Sequence, residues 1–353
     1  MPLTLLGAIP PLDFLLLLAH HIMTACMWLL TWLSSLPDAV WQQHAPPLWT
    51  VFSAMLGIIW MLLPRGFPAR WLGVVALLPL FFILPPRPPF GALWLTVLDV
   101  GQGLAVVAQT QQHALLYDTG PGFNSEADSG NRIVLPFLRA AAIQKLDGLI
   151  DSHDDADHSG GAVSVLDGVP ADWLASSLPA ASPIHTHARR SLPCYAGQSW
   201  QWDGVRFAML HPSWESYADA GLKDNARGCV LKITTRYGSV LLPADIERAS
   251  EQALLARDSS ALPATVLIAP HHGSKTSSTE SFIRQVNPAV VVFTVGYRNR
   301  FGHPKEDVMA RYRELGSKLY RTDESGAISL HFENAQGVTL QSYRSQDRRY
   351  WRK

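Results

Sequence analysis

The chain has 353 residues, 48% of them apolar, and its 29 Lys and Arg are matched by 29 Asp and Glu. That length exceeds one small core and suits two regions, and a neutral balance supplies no basic domain that would by itself indicate nucleic acid. Only Arg65, Arg70, Arg87, Asp13 and Asp38 are charged before residue 92, so residues 1–92 read as a membrane segment and residues 93–353 as a soluble domain.

In chain order, three apolar stretches come first: Phe14–Leu33, Leu48–Leu63 and Trp71–Leu84. A membrane-spanning helix needs about 20 residues, so the first is long enough, the second is short, and the third needs Pro85 and its neighbours at headgroup depth. Two or three spans are expected. Trp28, Trp32, Trp41, Trp49, Trp60 and Trp71 recur as interface aromatics do; the first stretch could instead lie along the surface. His20 and His21 read as a polar stripe. Asp13, and no basic run, precedes the first stretch, which does not resemble a cleavable signal. The connector PRGFPAR carries Arg65 and Arg70, which the positive-inside tendency places in the cytoplasm. The next span then leads outward, to the periplasm in a Gram-negative cell.

PPRPPFG at 85–91 is a stiff linker. LWLTVLDV, LAVVAQ and ALLY follow as short strands separated by turns, then a helix near Ile133–Ile143 and a strand Leu146–Ile150 that ends in SHDDADHSGG. Further strands are expected at Val205–Leu210, Cys229–Thr235 and Ser239–Leu242, with a helix starting near Ile246. Val266–Ile268 ends in PHHGSKTSS and Val290–Val295 in GYRNRFGHP, each followed by a helix. Two strand-rich halves with outer helices fit an α+β, four-layer αββα sandwich.

SHDDADHSGG gathers His153, Asp155, Asp157 and His158 within six positions, and Gly160 and Gly161 let the next helix approach. Burying several carboxylates without a cation is costly. A metal is the natural explanation, and four such residues can begin two adjacent sites. Asp245 follows the apolar strand SVLLPA, where it reads either as a ligand or as the N-cap of the helix after it. Cys26, Cys194 and Cys229 are far apart and form no ligand pair; buried filler is expected and a disulfide is not. HTH at 185–187 has no nearby acid in sequence and reads as a surface loop. His113 and His211 read as structural. The end, RSQDRRYWRK, is basic and aromatic enough to touch DNA or anionic headgroups.

The spacing of SHDDADHSGG resembles the metallo-β-lactamase signature HxHxDHxGG, with Asp155 in place of its second His. Together with LDVGQG, YDTG, LLPADIE, APHHGS and FGHP in that order, residues 94–340 resemble the nuclease-like domain of the ComEC family of competence DNA-uptake proteins. The preceding apolar stretches resemble the end of that family's membrane domain, so the chain resembles its C-terminal portion.

The resemblance implies His153, Asp155, Asp157 and His158 as metal ligands, Asp245 as a bridge between two ions, and His271 or His272, with His272 preferred, as a further ligand. Adjacent histidines on an extended segment point to opposite sides, so one of the two is expected in a given shell. Asp157, Asn225 and His303 are the candidate catalytic residues, His303 to stabilise charge or protonate a leaving oxygen. Ser274, Lys275 and Asn299 are candidate phosphate contacts. Leu104, Gly228 and Ala244 depart from the family pattern.

The activity that the resemblance implies is that of a membrane-anchored deoxyribonuclease with two divalent ions. Mn²⁺ is preferred over Zn²⁺ because Asp155 enriches the shell in oxygen. Single-stranded DNA, the membrane and other uptake components are the expected partners, and the non-imported strand the expected substrate. A membrane-tethered hydrolase of a small phosphodiester, thioester or lipid, or a channel scaffold, is the alternative.

Overall fold

The computed structural model describes residues 12–36, 39–40, 42–219 and 221–346. Asp38, Trp41 and the tail beyond Gln346 lie outside the described residues. The chain forms two compact units, Met1–His44 and Ala45–Lys353.

The first unit contains α1, Phe14–Ser34, whose start is capped by the Asp13 carboxylate. It is the one described helix long and apolar enough to cross a membrane, and none of its side chains is buried. Cys26, expected as buried filler, is exposed on it.

The second unit opens with a hairpin of α2, Leu48–Leu62, and α3, Leu72–Phe82. At 15 and 11 residues both fall short of the roughly 20 that a straight span requires. They cross through Gly57 and Gly73: a methyl on Gly57 would lie 2.5 Å from the Gly73 carbonyl oxygen, the close approach that small residues permit. Arg70 of the connector donates through Nε to the Met61 carbonyl at 2.9 Å, satisfying an orphan acceptor at the end of α2.

The sandwich comes next. Its strands are β1 Leu93–Val97, β2 Val106–Gln109, β3 Ala114–Tyr117, a small hairpin of β4 Gly122–Asn124 and β5 Ala127–Asp128, β6 Gly148–Asp151, β7 Leu174–Ser176, β8 Ser191–Pro193, β9 Ser199–Trp202, β10 Val205–His211, β11 Val230–Thr235, β12 Gly238–Leu242, β13 Val266–Ile268, β14 Val290–Phe293, β15 Lys318–Arg321, β16 Ile328–Asn334 and β17 Gly337–Ser342. One sheet has the order β17-β16-β1-β2-β3-β6-β7-β8 and the other β15-β14-β13-β12-β11-β10-β9. Between strands and over the outer faces run α4 Leu135–Ala140, α5 Ala156–Ser159, α6 Ala162–Gly168, α7 Ile184–His187, α8 Arg248–Asp258, α9 Glu280–Val286 and α10 Glu306–Glu314.

Alternation along each strand decides which layer a side chain joins. Leu93, Leu95, Val97, Leu115 and Tyr117 face inward to meet Phe207, Leu231, Ile233, Val240 and Leu242 of the other sheet. Their neighbours Val107 and Leu116 turn outward onto Leu135, Leu138, Val165 and Leu166 of α4 and α6. Leu241, Leu267 and Val291 pack outward on Leu254, Phe282, Ile283, Val308 and Tyr312 of α8, α9 and α10. The result is the αββα order expected from the sequence, with both sheets apolar on both faces.

Several boundaries differ from expectation. The helix expected near Ile133–Ile143 is α4, entered through a π turn, Gly130–Val134. That turn runs against Gly161, where an added methyl would sit 2.6 Å from the Gly130 nitrogen. The helix expected from Ile246 starts at Arg248 with Glu247 as its N-cap, which removes the capping role from Asp245. Cys194 and Cys229 form a disulfide between the end of β8 and the start of β11, joining the two sheets. Their 35-residue separation hid a pairing that is created only when the sheets face each other.

Candidate metal centre

Three loops converge at one rim of the sandwich. β6 stops at Asp151 and delivers Ser152 to Asp155, after which the single turn α5 carries Asp157 and His158. β12 delivers Asp245, and β13 delivers His271 and His272.

The three buried imidazoles share one design. His158 Nδ1 donates to Asp118 Oδ2 at 2.7 Å, and Asp118 also accepts from the Ser152 backbone N–H at 2.7 Å and hydroxyl at 2.8 Å. The same Ser152 oxygen lies 2.9 Å from His153 Nδ1. His272 Nδ1 reaches Thr294 Oγ1 at 3.0 Å. With each Nδ1 tied back, the three Nε2 atoms face inward. His158 Nε2 lies 3.2 Å from His272 Nε2 and 3.1 Å from Asp245 Oδ1. His272 Nε2 lies 3.3 Å from Asp157 Oδ2 and 3.5 Å from Asp245 Oδ2. His153 Nε2 is buried with no hydrogen-bond partner among the described residues, 3.4 Å from Asp155 Oδ2.

The charges around the cluster depend on one another. Burial works against charge on His158, but Asp245 and Asp118 hold its imidazole well above the usual range. His272 is likewise raised against burial by Asp245 and Asp157. Burial would raise the carboxyls, yet His272 and His158 keep Asp245 well below the carboxylate range and Asp157 at about 2. The neighbouring His153 imidazole lowers Asp155. Two groups of ligand atoms, His153 with His158 and Asp245, and Asp157 with His158 and His272, are each within 4.8 Å of one another. The orphaned His153 nitrogen and the mixed imidazole and carboxylate donors fit one or two divalent cations.

His271 and His272 do not lie on an extended segment. Both adopt left-handed backbone, φ 48° and 54°, at a cost of about 1–2 kcal/mol each, and the turn sends both rings toward Asp245. His271 Nε2 is 3.6 Å from Asp245 Oδ2, and its Nδ1 is 3.5 Å from Glu247 Oε1. Ala244, beside Asp245, has φ 51°, a conformation that glycine adopts without strain.

The other candidates are spread around this cluster. His303 is half-buried, 6.1 Å from the His271 ring and stacked on Phe301, with Nδ1 buried and without a partner among the described residues. Burial, then the neighbouring His272 and His271, press its pKa down to about 4, which leaves it neutral at pH 7. Asn299 braces its own loop, donating to the Gly296 and His303 carbonyls and accepting from the His303 N–H at 2.9 Å. Ser274 Oγ pairs with Thr276 Oγ1 at 3.1 Å, and Lys275 Nζ lies 3.8 Å from Asp307 on exposed surface. Asn225 sits half-buried in the turn Asp224–Arg227, and its side chain takes no part in the hydrogen bonds that hold the cluster.

Sequence reasoning passed over Asp118, Ser152 and Thr294, although YDTG contained the first. It also passed over Asp151, whose buried carboxyl has no hydrogen-bond partner among the described residues and is driven well above its usual range by burial and by Asp118. His113 pairs with Asp203 at 3.1 Å and His211 with the Ala226 carbonyl at 2.9 Å, both structural roles. His187 does have a nearby acid: Asp167, remote in sequence, lies 2.7 Å from its Nδ1, though this exposed pair stands apart from the cluster.

Comparison with known proteins adds three relatives. The chain is 34% identical over its full length to competence protein ComA of Neisseria gonorrhoeae, spanning 48% of that protein. It is 35% identical over 90% of its length to the uncharacterized protein YcaI of Escherichia coli, spanning 40% of it. It is 29% identical over 73% of its length to ComE operon protein 3 of Bacillus subtilis, spanning 35% of it. The chain thus covers about half or less of these relatives. Residues 98–295, more than half of the chain and the stretch that contains the converging His and Asp residues, match the Metallo-beta-lactamase superfamily, and the chain belongs to that superfamily.

Proposed function

We propose that this protein is a membrane-anchored, metal-dependent nuclease of a DNA-uptake system that hydrolyses phosphodiester bonds in the strand that is not imported. The observation that carries the reading is the inward convergence of three Nε2 atoms, each held by an anchored Nδ1, among three carboxylates. Similarity to a competence protein along the whole chain supplies the nucleic-acid context.

His153, Asp155, Asp157, His158 and His272 would hold the ions, with Asp245 shared between them. Bound there, divalent ions supply Lewis acidity toward the phosphodiester and activation of water at neutral pH. Asp118, Ser152 and Thr294 fix the ring orientations, so no reorganisation is needed when substrate arrives. His303, neutral and facing His271, offers an N–H to developing charge on the phosphoryl or leaving oxygen. Oxygen donors from Asp155, Asp157 and Asp245 favour Mn²⁺ over Zn²⁺.

α1 would anchor the chain in the inner membrane, the α2–α3 hairpin, too short for straight spans, would add passes only with its ends at headgroup depth, and residues 93–353 would be the hydrolase domain. The Cys194–Cys229 disulfide is at home in an oxidising compartment. It agrees with the periplasmic side inferred from Arg65 and Arg70.

The test is Mn²⁺-dependent cleavage of labelled single-stranded DNA by the full chain in detergent, beside Asp157→Ala. Cleavage that is abolished in the variant and by chelator supports the nuclease. A folded, metal-loaded chain that leaves DNA intact refutes it.

A further inference from the structure

We propose that the exposed loop Tyr297–Phe301 is a stacking clamp for a single DNA strand, placing one of its phosphodiesters at the neighbouring metal centre. This rests on the nuclease reading and names the element that would hold its substrate.

The loop leaves β14 and passes the rim of the centre. Its sequence, YRNRF, alternates aromatic and cationic residues around Asn299. Tyr297 is 72% and Phe301 46% exposed, far more than aromatic rings kept for packing. Each ring carries an arginine: the Arg298 guanidinium lies 5.2 Å from the Tyr297 centroid, and that of Arg300 lies 4.8 Å from the Phe301 centroid. An aromatic face beside a cation is what binds a base and its phosphate together, whatever the base.

The loop is also fixed to the centre. Phe301 stacks on His303 with centroids 5.8 Å apart and planes 14° from parallel, and His303 is 6.1 Å from His271. Asn299 ties the loop to itself, and the Lys305 N–H donates to the Gly273 carbonyl of the PHHG turn at 3.0 Å. A base resting on Phe301 therefore sits two rings from His271.

On the other side of the loop, Tyr297 and Arg298 form the edge of a cleft of about 1560 Å³ whose walls include Asp99, Arg321, Asp323 and Arg344. The cleft's own arginines are neutralised: Arg321 pairs with Asp323 at 2.7 Å and Arg344 with Asp99 at 3.0 Å. Arg298 and Arg300 make no ion pair among the described residues, so beside this cleft their charge is free to meet a phosphate backbone.

The experiment measures anisotropy of a labelled short single strand on the full chain in EDTA, which keeps the strand uncut. Tyr297→Ala with Phe301→Ala is expected to weaken binding about tenfold or more for each ring, while Tyr297→Phe with Phe301→Tyr keeps wild-type affinity. Arg298→Gln with Arg300→Gln is expected to reduce the slope of log affinity against log salt by about 1.4. An abasic strand, which cannot stack, should not distinguish the alanine pair from the unaltered chain.

Unchanged affinity in the alanine pair overturns the clamp, as does an equal loss for the abasic strand. Loss of binding to anionic vesicles with DNA affinity intact overturns it in favour of a membrane-surface role. If the unaltered chain still cuts DNA with Mn²⁺ in any of these cases, the clamp alone fails. If it neither binds nor cuts, the nuclease reading fails with it.

Discussion

Single residues at this site divide into those that would touch a cation and those that aim them. Asp118 is fully buried and accepts three hydrogen bonds, two from Ser152 and one from His158. In Asp118→Asn an amide N–H₂ must face one of these donors, so the His158 ring loses its orientation. Metal affinity is expected to fall about 10- to 100-fold, read by calorimetric titration with Mn²⁺ or Zn²⁺; an unchanged Kd refutes the aiming role. His211 tests the fold away from the site. Burial presses its pKa down to about 4, against about 6.5 in an unfolded chain. Between those values the unfolded state binds the extra proton, so the associated stability is complete above about pH 6.5 and is lost as pH falls toward 4. At most about 3 kcal/mol is involved. His211→Gln should flatten the pH dependence of the urea midpoint over that window, and parallel curves would contradict the assignment. At this scale the sequence showed the clustered acids and histidines because their spacing within one loop is local. Ser152 and Thr294 were invisible because a hydroxyl that holds a ring from another strand belongs to no local pattern. The extended backbone expected at the paired histidines is replaced by a left-handed turn at Pro270–Gly273, which breaks the alternation of a strand, while His272, the preferred of the two, is the one in the ligand cluster.

At the level of elements, the ligand loop is held by how closely α5 and α6 can approach the β3 exit. The Gly161 N–H donates to the Gly120 carbonyl, and the Thr119 N–H donates to the His158 carbonyl at 2.8 Å. A methyl on Gly161 would meet the Thr119 oxygen and the Gly130 nitrogen, both 2.6 Å away and both backbone, so the neighbours cannot yield by rotating a side chain. Gly161→Ala is expected to cost about 1–3 kcal/mol and to weaken metal binding, since relief moves the turn that carries His158. Paired urea denaturation and metal titration check both effects, and a variant as stable as the parent would show that the turn can relax. Apolar runs and alternation made strands such as Val266–Ile268 and Val205–His211 readable to within one or two residues, whereas β4, β5, β7 to β9 and β15 to β17, shorter or more polar, were not. The pairing of β1 with β16 was not readable, because it joins segments more than 200 residues apart through backbone groups that every residue has.

Across the whole molecule, the two sheets are joined by apolar packing and by one covalent link. Cys194 leaves the edge strand β8 and Cys229 enters β11. The Cys229 N–H donates to the Ser152 carbonyl at 3.1 Å, one residue before His153. The disulfide therefore ties the second sheet to the loop that presents the metal donors. Closing a loop of 35 residues removes enough unfolded-state entropy to stabilise the fold by about 3–4 kcal/mol. Cys194→Ser with Cys229→Ser is expected to lose that amount in urea unfolding and to bind metal less tightly. Dithiothreitol should lower the parent chain to the same stability and leave the double variant unchanged. If the reductant affects neither protein, the link is absent in solution and the argument for an oxidising compartment fails with it. If it lowers stability but not metal affinity, the link holds the sheets together without steadying the ligand loop, and the positioning of His153 rests on Asp118 and Ser152 alone.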